Sequence, residues 1–198
     1  MYTPTKTGDT VKILQLLSLG YSPIQKFAEA ENGTPLHVAA SEGHVLTSHI
    51  LVQAGAELDA IDDEKNTPLM LACDKGRPSI VKYLLASGAD LTLRGDDGMT
   101  CLHLAAQNGH LDCVHIILTQ NALPRKFINL QDEGGWTSLV WACENKHEDV
   151  IQWVEKHFLS AQGLLVYKSL VYTMPSYNGF EKSQETETYK LIKRSLLE

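Results

Sequence analysis

The 198-residue sequence has no apolar run approaching the ~18 residues that would suggest a membrane span. Its N-terminus lacks the charged-then-apolar pattern of a secretory leader, so an intracellular chain is expected. Basic residues are outnumbered, 17 Lys and Arg against 24 Asp and Glu, for a net charge of −7. That balance argues against a general nucleic-acid binder, whose footprint is a basic patch, and favours a cationic partner. There is no phosphate-cradling Gly loop and no nucleophile spaced against a placed base, so no catalytic residue and no cofactor is assigned. Cysteine is sparse: Cys73, Cys101, Cys113 and Cys143 all fall inside apolar stretches and read as small reduced core residues. What remains, 43% hydrophobic and 21% charged residues, is ordinary for a folded globular chain.

What the sequence does contain is a period. Thr34-Pro35-Leu36-His37, Thr67-Pro68-Leu69-Met70 and Thr100-Cys101-Leu102-His103 follow one another at intervals of 33 residues, and Thr137-Ser138-Leu139-Val140 comes 37 residues after the third. The interval and the Thr-Pro-Leu-His-x-Ala signature are those of ankyrin repeats. Each block reads as a helix start, because Thr can cap the orphan amides of a first turn and Pro costs least at the first helical position. A short apolar helix follows, closed by Gly43, Gly76 or Gly109. A second helix carries the bulky residues, such as Ile80, Val81, Leu84 and Leu85, and Gly55 and Gly88 sit just past two of these. The links Asp62-Asp63-Glu64-Lys65-Asn66 and Gly95-Asp96-Asp97-Gly98 have turn composition.

The expected architecture is an all-α ankyrin-repeat solenoid of stacked helix pairs with β-hairpin-like fingers. Residues 1–32 read as a degenerate N-terminal capping repeat, and residues 33–65 and 66–98 as regular repeats. Residues 99–135 read as a repeat with a finger insertion around Ala122 to Lys126, and 136–160 as a further repeat. Residues 161–198 form a divergent tail, with a short amphipathic helix expected near 183–197 from Tyr189, Ile192 and Leu196. No single unit of this kind can bury its apolar face alone, so neighbours supply the core.

Eight histidines invite a metal reading, above all His103, His110, Cys113 and His115. Yet His37 and His103 share one motif position and His44 and His110 another, so the repeat accounts for them and no metal site is assigned.

Distinctive chemistry is confined to the fourth motif. Trp141 takes the position of Val38, Leu71 and Leu104, the variable site that faces the concave groove in ankyrin repeats. Glu144 is three residues along the same helix and so lies beside it. Trp136 ends the preceding finger. Two indoles and a carboxylate suit a methylated ammonium group, which ring faces attract and which sheds water more readily than a bare ammonium. Mono- or dimethyl-lysine suits a carboxylate better than trimethyl-lysine, which has no N–H to donate. The competing reading is that a Trp before the motif Thr packs under its own finger. Trp153 aligns with Ile50, Tyr83 and Ile116 and is expected in the core.

At these residues the sequence resembles the ankyrin domain of the euchromatic histone-lysine N-methyltransferases, over about residues 33–154. The specific part is Gly134-Gly135-Trp136-Thr137 followed by Trp141-Ala142 and Glu144. The resemblance implies a nuclear protein-interaction module, a fragment of a chromatin methyltransferase that reads mono- and dimethyl-lysine on the histone H3 tail. In that family a separate SET domain, of which this chain shows no motif, performs methyl transfer. It implies a cage of Trp136, Trp141 and Glu144 and a peptide-contacting finger of Asp132 and Glu133. In the family a further cage Trp comes from the following repeat, and here no Thr-Pro-Leu-His block follows Phe158. The alternative is a generic ankyrin adaptor that binds an unmodified protein segment, in either case as a monomer unless joined to a larger chain.

Overall fold

The computed structural model describes residues 1–120 and 127–158; the inserted segment near residues 122–126 and the tail from 161 onward lie outside the described residues. Residues Met1–Ile151 form one compact unit, and the second, Gln152–Glu198, is described only through residue 158.

Among the described residues ten α-helices follow one another in pairs: α1 (Tyr2–Thr7) with α2 (Thr10–Ser18), α3 (Pro35–Glu42) with α4 (Val45–Gln53), and α5 (Pro68–Asp74) with α6 (Pro78–Ala86). Then come α7 (Cys101–Gln107) with α8 (Leu111–Leu118), and α9 (Ser138–Glu144) with α10 (Glu148–Phe158). The first helices of the pairs, α1, α3, α5, α7 and α9, stack in a row, and α2, α4, α6 and α8 stack behind them. The motif threonines sit at the N-caps in extended conformation, and Pro35 and Pro68 occupy the first helical position.

The core repeats with the sequence. On the outer helices the buried positions are Thr47, Ile80, Cys113 and Val150; Ser48, Val81, Val114 and Ile151; and Leu51, Leu84 and Ile117. Burying one such aliphatic side chain contributes about 1.5–3 kcal/mol. Ile50, Tyr83, Ile116 and Trp153 fall one residue off that stripe and are half-buried, so Trp153 does not take the core position expected of it. Its ring instead stacks on His157, with centroids 4.5 Å apart. The first pair buries only Ile13 among the apolar residues of α2 and leaves Val11 67% and Leu14 52% exposed, where a capping unit usually carries polar side chains.

The fingers are tight turns. Among the described residues they form isolated bridges, Phe27 with Gly33 and Gln131 with Thr137, and no named strand. They are closed by backbone bonds, for example Asp62 N–H to Asn66 O (3.1 Å) with Lys65 N–H to Asp62 O (3.2 Å), and Asp132 N–H to Trp136 O (2.9 Å) with Gly135 N–H to Asp132 O (3.1 Å). Successive fingers are tied by Asp63 N–H to Glu31 O, Asp96 N–H to Glu64 O and Glu133 N–H to Asp97 O, at 2.9, 3.1 and 3.0 Å. A regular stack of turns, rather than a sheet, therefore forms one wall of the groove.

Candidate functional site

Two sets of histidines fix the register between neighbouring units. In the motif, His37 Nδ1 accepts the Thr34 backbone N–H at 3.0 Å, which places the ring proton on Nε2, and Nε2–H donates to Asn66 O at 3.0 Å in the next finger. His103 does the same: Nδ1 accepts from Thr100 N–H, and Nε2–H faces Leu130 O (3.0 Å) and Trp136 O (3.2 Å). Burial, which penalises the charged imidazolium, holds both rings below the ordinary histidine pKa. The second set points the other way. His44, His110 and His147 donate Nε2–H to Lys6 O, Asp74 O and Gln107 O of the preceding pair, each at 2.9 Å, and Arg77 Nε–H takes that role toward Ser41 O. The backbone bonds of His103 and His110 give those rings structural work, and among the described residues no cluster of three His, Cys, Asp or Glu is arranged to hold a metal ion. Cys113, displaced from water, has its thiol pushed up to about 12, and burial likewise pushes Cys73 up well above the ordinary thiol value.

Between the fingers and the first helices runs a groove of about 650 Å³. Its floor carries Val38, Leu71 and Leu104, and its walls carry Glu29, Glu31, Glu42, Asp62, Glu64, Asp74, Asp96 and Asp97. The basic residue in the lining, Lys75, is engaged by its neighbour Asp74 at 2.9 Å. Glu31, Glu64 and Asp97 recur every 33 residues, a signal in the sequence that overall charge alone did not localise. The register of Trp141 is that of Val38, Leu71 and Leu104, and the register of Glu144 is that of the groove-lining Ser41 and Asp74.

At the fourth motif the structure brings Trp136, Trp141 and Asp132 together. The two indole centroids are 4.8 Å apart with planes tilted by 50°, so the rings touch and form a wedge, a geometry worth about 0.5–1.5 kcal/mol beyond area burial. Both indoles are half-buried. Asp132, expected from the resemblance to contact a peptide, spends both carboxylate oxygens internally: Oδ1 accepts Trp136 N–H at 2.8 Å and Oδ2 accepts Trp141 Nε1–H at 2.7 Å. Glu133 is exposed, and its Cγ and backbone N lie against Gly98 of the neighbouring finger. Glu144 ends α9 and is exposed. A cation attracted by an aromatic face sits within about 6 Å of the ring centroid. Rings already in contact leave the open side of the wedge, rather than a slot between them, for such a group.

No helix among the described residues is long and apolar enough to cross a membrane. The chain shares 40% identity over 65 residues, 33% of its length, with the histone-lysine N-methyltransferase EHMT1 of Mus musculus, and 40% over 64 residues with EHMT1 of Homo sapiens. It spans about 5% of the length of these relatives, and the likeness falls in their ankyrin region. A family model for ankyrin repeats matches residues 5–95 and 89–159. The matched residues, the paired helices in two rows and the inter-repeat histidine bonds describe one architecture, a protein-interaction fold, and the chain belongs to the ankyrin-repeat family.

Proposed function

We propose that this protein-interaction module takes a basic, extended segment along its groove and seats a mono- or dimethylated lysine against the Trp136 and Trp141 wedge, the histone H3 tail being the leading partner and the nucleus its place of work. The observation that carries the reading is the contact between Trp136 and Trp141, with Trp141 in the register of the groove floor and Glu144 three residues along α9 in the register of the groove-lining Ser41 and Asp74. Likeness to the ankyrin region of EHMT1 supports it. The ring faces attract the cation, methylation lowers its hydration, and Glu144 accepts the remaining N–H. The test is calorimetric titration with unmodified, mono-, di- and trimethylated histone H3 tail peptides. A several-fold preference for the mono- or dimethylated peptide that Trp141→Ala abolishes is expected. Equal affinity for unmodified and dimethylated peptides would end the reading.

A second reading is a general adaptor for an unmodified basic segment. It is favoured by the acid-walled, apolar-floored groove, which extends over repeats that lack the indoles. Under that reading the affinity falls with added salt, as exposed charge pairs do over a Debye length of about 8–10 Å, and is indifferent to methylation.

A further inference from the structure

Asp132 occupies the same finger position as Asp62, and the two carboxylates are used differently. Asp62 receives both its backbone N–H bonds, from Glu64 at 3.0 Å and Asn66 at 2.8 Å, on Oδ1. That arrangement closes a finger. Asp132 closes its finger in the same way, with Oδ1 accepting Trp136 N–H at 2.8 Å, and turns Oδ2 to the indole of Trp141 at 2.7 Å. The residue nine positions on from Asp62 is Leu71, which has no N–H to offer; nine positions on from Asp132 it is Trp141. One carboxylate therefore holds the main chain that carries the first indole and the ring nitrogen of the second.

We infer that Asp132 is a positioning residue that sets the angle of the wedge by gripping Trp141 through Nε1 while anchoring Trp136 through its backbone. This inference rests on the methyl-lysine reading for its functional consequence, though not for its geometry. An indole free to rotate about its side-chain torsions spends part of its time with the ring edge, which carries partial positive charge, toward the cation. A ring held by a charge-assisted bond at Nε1 keeps one orientation, and with it the attractive face. Both partners are half-buried, which strengthens the bond relative to one in water. In this role Asp132 acts through Trp141 and does not itself meet the ligand.

The substitution Asp132→Asn separates finger closure from indole capture. The amide oxygen can still accept Trp136 N–H, but the amide NH2 then faces the Trp141 N–H donor to donor. Trp141→Phe removes the same bond from the other side and leaves the finger untouched. In the intact chain, the Trp141 indole N–H resonance should move upfield and exchange faster with solvent in Asp132→Asn, with the thermal midpoint lowered by the loss of a bond internal to the free chain. Affinity for a dimethyl-lysine H3 peptide should fall several-fold, because the indole then holds its cation-facing orientation for only a fraction of the time. Adding Asp132→Asn to Trp141→Phe should weaken binding little further, because the first change has already removed the shared bond. An indole resonance that is identical in the native and Asp132→Asn proteins overturns the positioning role, as do fully additive losses in the double variant. If the native protein shows no methyl-lysine preference, the functional reading fails while the indole resonance still decides the role of Asp132.

Discussion

His103 donates its Nε2–H to the carbonyl oxygen of Trp136 across the boundary between two repeats, at 3.2 Å, while Nδ1 accepts the Thr100 amide in its own repeat. One imidazole thus carries helix-capping information from one unit into the finger that bears the first indole of the next. The arrangement works only for the neutral ring, since a proton on Nδ1 would point at the Thr100 N–H.

The consequence is a pH dependence with a defined sign. Burial lowers the folded pKa of His37 and His103 below the unfolded value of about 6.5. Their contribution to stability is therefore full above pH about 6.5 and is lost as pH falls through the lowered folded values, because the unfolded chain takes up protons first. Replacing His103 with Met, which the second motif already tolerates at the buried Met70, should cost about 1–3 kcal/mol by leaving the Thr100 amide and the finger carbonyls without their partner. It should also flatten the slope of thermal midpoint against pH below about 6.5. An unchanged slope in His103→Met would show that the ring is not a source of the dependence.

Two glycines allow backbone strain to be separated from close approach. Gly55 has φ +94° with nothing within 4 Å of where a Cβ would stand, whereas Gly76 has φ +61° and a Cβ there would lie 2.5 Å from His110 Nδ1. Gly55→Ala should cost only the left-handed strain, about 1–2 kcal/mol. Gly76→Ala should cost at least ~1 kcal/mol more in urea denaturation, since the ring must leave its bond to Asp74 O. In a His110→Ala background the excess should vanish, and an excess that persists would place the clash elsewhere.

The repeat register was legible because it is written in residues whose chemistry is local: Thr and Pro at helix starts, Gly at left-handed closures, and aliphatics at fixed intervals. The alignment that put Trp141 with Val38, Leu71 and Leu104 needed only counting, and those three line the groove. Counting could not say how Asp132 spends its oxygens, because that depends on the rotamer of a ring nine residues away. It aligned Trp153 with Ile50, Tyr83 and Ile116, but that whole register lies one residue off the buried stripe, and periodicity over so few turns does not say which of two adjacent registers is the core. The acidic wall was present in the sequence as Glu31, Glu64 and Asp97, but its meaning came only once the turns were seen to stack.

The same stripe exposes a defect that substitution should relieve. Thr47 stands where the later repeats carry Ile80, Cys113 and Val150; it is 1% exposed, and among the described residues its Oγ1 is the buried side-chain atom without a hydrogen-bond partner. A hydroxyl kept from water with no acceptor costs about 1–3 kcal/mol, whereas Val has nearly the same shape and nothing to satisfy. The neighbouring Ser48 is different, because its Oγ–H donates to His44 O at 3.0 Å. Thr47→Val should therefore raise stability by about 1 kcal/mol in urea denaturation. Ser48→Val should lower it, because a valine there removes that bond. If Thr47→Val is neutral or destabilising while Ser48→Val is harmless, the roles of the two hydroxyls have been assigned the wrong way round.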